Sequence, residues 1–173
     1  TTLFRSIRQG GVKVSDHEVI LPDPILVGRN PAKLERLVEM SGIEKTSTDV
    51  AACLGDADYS VYFDAQTTGR RVEWVTKAIE AGKHVFIEKP HAIDPAGCIR
   101  LRRACETAAQ KGLSIVSGHE SRLSTSYQQQ VEQLHNGIIG DIVAVQSMFL
   151  RAPYRVIRRD ASLNEVEYQF SNW

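Results

Sequence analysis

The chain has 173 residues, 42% of them apolar, enough for one ordinary domain with a buried core or for one domain and part of another. That excludes a small fold held together by disulfides. Lysine plus arginine number 21 against 21 aspartate plus glutamate, so the formal net charge is zero and there is no basic footprint for nucleic acid or an anionic membrane.

The apolar runs, such as residues 142–145, fall far short of the ~20 residues that span a bilayer. The first residues lack the apolar stretch of a secretory signal, so a cytoplasmic location is expected, with a small molecule or another subunit as partner. Cys98 and Cys105 share a predicted helix and stand about 10 Å apart on it, too far to bridge. They read as reduced core residues.

In chain order, residues 2–9 read as the end of a helix stopped by Gly10 and Gly11. Residues 12–24 fit either a small hairpin or a loop. A short buried strand follows over 25–27, then a helix with Asn30 as N-cap, Pro31 in its first turn, and Leu34, Leu37 and Val38 facing the core. Thr48 and Asp49 open a short helix. A strand over 59–63 and a helix over 70–81, with Val72, Val75, Ala78 and Ile79 at helical spacing, come next.

A further strand over 84–88, a helix over 94–111 and a strand over 113–117 continue the alternation. Short strands joined by helices of ten or more residues require crossover connections, hence a mostly parallel sheet covered by helices on both faces. This doubly wound α/β domain is expected to occupy residues 1–118. Beyond Gly118 the rhythm changes: a helix over 125–136 with Tyr127, Val131 and Leu134 inward, then a long strand over 142–150 suited to an open antiparallel sheet. Residues 119–173 therefore read as the start of a second, α+β domain.

In an open α/β sheet, ligands bind beyond the carboxyl ends of the strands. The segments placed there are Gly28-Arg29-Asn30, residues 64–68 with Gln66 and Thr67, Glu88-Lys89-Pro90, and residues 118–120. The third delivers a carboxylate, an ammonium and a proline in succession, and the Lys89-Pro90 bond is one of the few that adopts cis at small cost.

Residues 78–90, AIEAGKHVFIEKP, resemble the hallmark of the glucose-fructose oxidoreductase and inositol dehydrogenase family of nicotinamide-dependent enzymes. Residues 118–122, GHESR, resemble its linker carrying an arginine, and 137–142, GIIGDI, the turn that opens its second-domain sheet. The resemblance spans residues 24–150. It implies a Rossmann domain that lacks, in this sequence, the first strand and the Gly-rich pyrophosphate turn. It also implies that the acid/base Asp and His pair of the substrate domain lies outside the sequence, so none of the five histidines inherits that role.

The same resemblance implies roles residue by residue. Lys89 would be the catalytic lysine, touching the nicotinamide ribose and the substrate oxygen and joining the proton relay; the alternative is a solvated lysine at a strand end. Glu88 would position ribose or Lys89, and Pro90 would shape the turn. Arg29, with no acid beside it, favours NADP over NAD, against the alternative of a solvated arginine at a helix start. Gln66 and Thr67 could touch the cofactor, with helix capping by Thr68 as the alternative, in a segment that departs from the family pattern, Arg71 standing where a His is frequent. Arg122 would face substrate or form a surface ion pair.

The four arginines within residues 151–159 read as a solvated face balanced by Glu165 and Glu167. The histidines show no metal-ligand spacing, so no metal site is expected. The implied activity is NAD(P)-dependent oxidoreduction of a sugar, polyol or related compound by a homo-oligomer. The rival is a non-catalytic nucleotide-binding regulator on the same fold.

Overall fold

The computed structural model describes residues 10–150, 156–160 and 162–171. The helix expected over residues 2–9, Arg151 and Arg155 of the arginine run, and Trp173 lie outside them. The chain divides into two compact units, Thr1–Ser124 and Thr125–Trp173.

In the first unit, β1 (Val12–Lys13) and β2 (Val19–Ile20) pair antiparallel, which settles the open segment as a small hairpin. Strand β3 (Leu26–Val27) leads into α1 (Pro31–Ser41). The Asn30 side chain accepts a hydrogen bond from the Lys33 N–H, and Gly42 closes the helix in the left-handed region at φ 67°. The strand is half-buried rather than buried, Val27 being exposed. Its parallel partner β4 (Thr46–Ser47) carries no apolar residue and so gave the sequence pattern no signal. Helix α2 (Val50–Gly55) follows, capped by the Asp49 carboxylate.

The central ladder comprises β5 (Val61–Asp64), β6 (His84–Ile87) and β7 (Ile115–Ser117), all parallel, with α3 (Thr68–Glu80) and α4 (Pro95–Gln110) as the crossovers. Their registers align Asp64 with Ile87 and Ile87 with Ser117, so one row of residues marks the carboxyl edge. Strand alternation sends Tyr62, Asp64, Val85 and Ile87 to one face. There Val85 and Ile87 pack against Val72, Val75, Ala78 and Ile79 of α3 and Leu101, Ala104 and Ala108 of α4. Each fully buried Val, Leu or Ile contributes about 1.5–3 kcal/mol of burial energy, and this cluster is the main core. On the opposite face Phe63 and Phe86 stack at 4.3 Å, while Val61 and Val116 stay exposed, so close covering is seen on the first face. The first unit ends with the short α5 (Glu120–Leu123).

The second unit contains α6 (Thr125–His135) and α7 (Glu165–Ser171). Two expectations are corrected here. Tyr127 and Val131, expected inward, are exposed and only Leu134 is half-buried. Residues 142–150 form no strand, because no described segment pairs with them and a ladder needs a partner to satisfy its backbone groups. Arg159 does pair with Glu165 and lies over the Tyr168 ring, as a charge-balanced exposed face should. Cys53, Cys98 and Cys105 are free; Cys105 is half-buried but Cys98 is exposed, not a core residue. Among the described residues no helix is long and apolar enough to cross a membrane.

Candidate active site

Three loops leave the carboxyl edge of the central ladder, and a buried ion pair ties two of them together. Asp64, wholly buried at the end of β5, accepts a hydrogen bond from Arg71 Nε. Arg71 is 3% exposed in the first turn of α3. Its Nη2 donates to the Gln66 carbonyl at 2.8 Å and its Nη1 donates to the carbonyl of Pro90. The Lys89-Pro90 bond is cis.

Above this pair, Gln66 Nε2 donates to the Tyr62 hydroxyl at 2.7 Å, and that hydroxyl lies 3.4 Å from Asp64 Oδ1. Burial, opposed by the Gln66 contact and reinforced by the charge on Asp64, pushes the Tyr62 phenol up to about 12. On the other side, His91 Nε2 and Ser117 Oγ are 2.7 Å apart, and the His91 and His119 rings meet edge to face at 5.5 Å. Burial first, then the neighbouring His119 and Arg71, pull the His91 imidazole below its ordinary range.

Glu88 is half-buried, with its carboxylate against Gly118, and its Oε2 accepts the Lys89 N–H at 3.2 Å. Lys89 is exposed, and its ammonium has no hydrogen bond or ion pair with any described residue. Thr67 is the N-cap of α3, yet its side chain makes no capping bond, which leaves Thr68 as an ordinary first-turn residue and corrects the expected cap.

The structure thus brings Gln66, Thr67, Glu88, Lys89 and Pro90 to one edge. Arg29 and Asn30 follow β3 on the separate two-stranded ladder; Arg29 is exposed, and the Asn30 side chain is engaged as a helix cap. Arg122 lies exposed on α5, its backbone N–H on the His119 carbonyl at 3.0 Å. Sequence reasoning placed Asp64 at this edge but gave it no role, missed Tyr62, His91 and Ser117 as parts of it, and took Arg71 only as a departure from pattern. Arg71 did leave a signal. It shares the helical stripe of Val75 and Ala78, and a charge on a buried stripe requires a partner, for which Asp64 is the acid at the adjoining strand end. His91 and Ser117 left none, since they meet only through the β6–β7 register.

Exposed at this edge are the Thr67 hydroxyl, which makes no capping bond, and the Lys89 ammonium, with the half-buried Glu88 carboxylate between Gly118 and the Lys89 N–H. Among the described residues no group of three or more His, Cys, Asp or Glu is placed to hold a metal ion.

Comparison with known proteins identifies the family. The family model described as an oxidoreductase family with an NAD-binding Rossmann fold matches residues 24–119, more than half of the chain. The chain is 31% identical over 140 residues to the D-xylose dehydrogenase of Paenarthrobacter nicotinovorans, covering 81% of this chain and 35% of that protein. It is 41% identical over 80 residues to the inositol 2-dehydrogenase of Gluconacetobacter diazotrophicus, covering 46% and 23%. The crystal structure of scyllo-inositol dehydrogenase from Lactobacillus casei with bound NAD(H) and scyllo-inositol superimposes with a TM-score of 0.64 at 23% identity, over 81% of this chain and 39% of that one. The chain spans about a third of the length of such relatives. With its parallel ladder, its Glu88-Lys89-Pro90 edge and this match, the chain belongs to the oxidoreductase family with the NAD-binding Rossmann fold, the glucose-fructose oxidoreductase and inositol dehydrogenase family.

Proposed function

We propose that this chain carries the cofactor side of an NAD(P)-dependent oxidoreductase acting on a hydroxyl carbon of a sugar, polyol or related compound. The observation that carries the reading is Lys89: an exposed ammonium with no partner among the described residues, on a loop anchored at the carboxyl edge of the parallel ladder. When bound, the nicotinamide supplies the acceptor for the hydrogen and electron pair that leave the alcohol carbon.

In this reading the Lys89 ammonium hydrogen-bonds the reacting oxygen and favours its developing negative charge, and the hydroxyl proton leaves to a general base of the substrate domain, Lys89 relaying it by giving one proton to that base as it takes up another. Glu88 accepts from the ribose hydroxyls and Pro90 holds the turn. Gln66 and Thr67 line the cofactor, and Arg122 reaches the substrate. Arg29 and Asn30 bind the adenosine ribose, and the absence of an acid beside Arg29 favours NADP. Residues 1–118 belong to the dinucleotide-binding domain and 119–173 to a substrate and oligomerisation domain, the whole protein assembling as a homo-oligomer.

The test is turnover of a panel of sugars and polyols by the full-length protein, followed through nicotinamide absorbance with NAD and with NADP, and repeated with Lys89→Ala. Expected is activity on at least one alcohol and a loss of about 10²–10⁴-fold in the variant. Cofactor binding without turnover would favour a regulator, and undiminished activity in Lys89→Ala would overturn the role of Lys89.

A further inference from the structure

The Arg71 guanidinium uses its three nitrogens on three different acceptors: the Asp64 carboxylate at the end of β5, the Gln66 carbonyl in the loop that follows, and the Pro90 carbonyl in the loop after β6. Only the first is needed to neutralise a buried charge. The third reaches the residue next to Lys89, whose own side chain has no hydrogen bond or ion pair with a described residue. A planar fork with fixed donor directions can hold three acceptors at once, whereas a flexible ammonium cannot match that spread. Asp64, 0% exposed, in turn fixes the fork from the rigid end of the strand.

We propose that Arg71 is a positioning residue for Lys89, with Asp64 as its anchor: the pair fixes the backbone from which the Lys89 ammonium projects. The inference rests on the role given to Lys89 above and adds to it what sets that ammonium's place. Side-chain freedom is left to the ammonium itself, while the main chain behind it is locked to the neighbouring strand end. A misplacement of about 1 Å at a reacting group costs on the order of 100-fold in rate, so a loop tether of this kind has a kinetic effect out of proportion to its size.

The experiment uses the full-length protein and the variants Arg71→Lys and Arg71→Gln. Arg71→Lys keeps a buried positive charge against Asp64 and loses the fork. Expected for it is a fall in kcat of about 10- to 100-fold, with the dinucleotide dissociation constant little changed and the protein still folded at the assay temperature, its thermal midpoint lowered by the carbonyls that lose a donor. Backbone amide exchange at residues 88, 89 and 91 should accelerate, while exchange at 84–87 stays slow. A kcat and loop exchange in Arg71→Lys equal to wild type would overturn the proposal, as would a loss of kcat that only follows unfolding. If Arg71→Gln does not fold, Arg71→Lys still decides. If the wild type turns over no alcohol at all, the oxidoreductase reading of Lys89 fails, and the exchange measurement separately reports whether Arg71 holds the loop.

Discussion

The carboxylate of Glu88 rests on Gly118: a Cβ added to that glycine would stand 3.0 Å from Cδ and Oε1 of Glu88 and 3.1 Å from Oε2. Gly118 is thus present for close approach between the segments following β6 and β7, and its N–H also bonds the Ile87 carbonyl at 2.8 Å. Gly118→Ala should push the Glu88 carboxylate aside. Because the obstructed group is the end of a flexible side chain, folding stability should change by less than about 1 kcal/mol. Dinucleotide binding, measured by fluorescence titration of the full-length protein, should weaken by several-fold.

The Asp64–Arg71 pair predicts a specific pattern of unfolding energies. Arg71→Met or Asp64→Leu alone strands an uncompensated buried charge and should cost about 3–5 kcal/mol. The double variant should recover part of that loss, because no charge remains, but not all of it, because the Pro90 and Gln66 carbonyls keep no donor. Urea unfolding of the four proteins gives the coupling energy. Additive costs would show that the two side chains do not act as a unit.

His91 should titrate below the ordinary histidine value of 6.5, and His119→Gln should move it back up, since His119 is one of the two charges that oppose its protonation. The folded state then takes up this proton at lower pH than the unfolded chain does. The contribution to stability is therefore intact above the unfolded value and erodes as the pH falls from there through the folded value. Proton NMR of the imidazole resonances follows both the shift and its reversal.

At the alkaline end, Tyr62 ionises at about 12 against an ordinary value of 10.0. The neutral phenol is favoured by folding, so its contribution is complete below the unfolded value and is lost as the pH rises between the two. Phenolate absorbance should show one late-titrating tyrosine that Tyr62→Phe removes. The same substitution withdraws the hydroxyl from Gln66 and should cost about 1 kcal/mol.

Much of the architecture is legible in the residues because the caps and periods agree with one another. Asn30, Asp49 and Asp94 each accept a backbone N–H at the start of a helix whose apolar spacing points the same way. Strand β4 was illegible because Thr46 and Ser47 are held by pairing with β3 and not by burial. Residues 142–150 have the composition of a strand, but composition cannot supply the second half of a ladder. Similarly, the Tyr127 and Val131 stripe is amphipathic without being covered. At the candidate site, Glu88, Lys89 and Pro90 are readable because they are consecutive. The groups around them come from other elements: Asp64 and Ser117 are brought to the edge by strand register, and Arg71 by the first turn of α3.

The three-way grip of Arg71 also bears on how this protein can change over generations. Positions 64 and 71 are bound to one another, so a lineage that replaces either residue with an uncharged one first passes through a form with a stranded charge, and single-step loss of charge at these two sites is disfavoured. Exchange of the pair requires near-simultaneous replacement or prior stabilisation elsewhere in the molecule. The exposed residues of the same edge are under no such constraint from folding, which leaves ligand preference free to diversify around a fixed anchor.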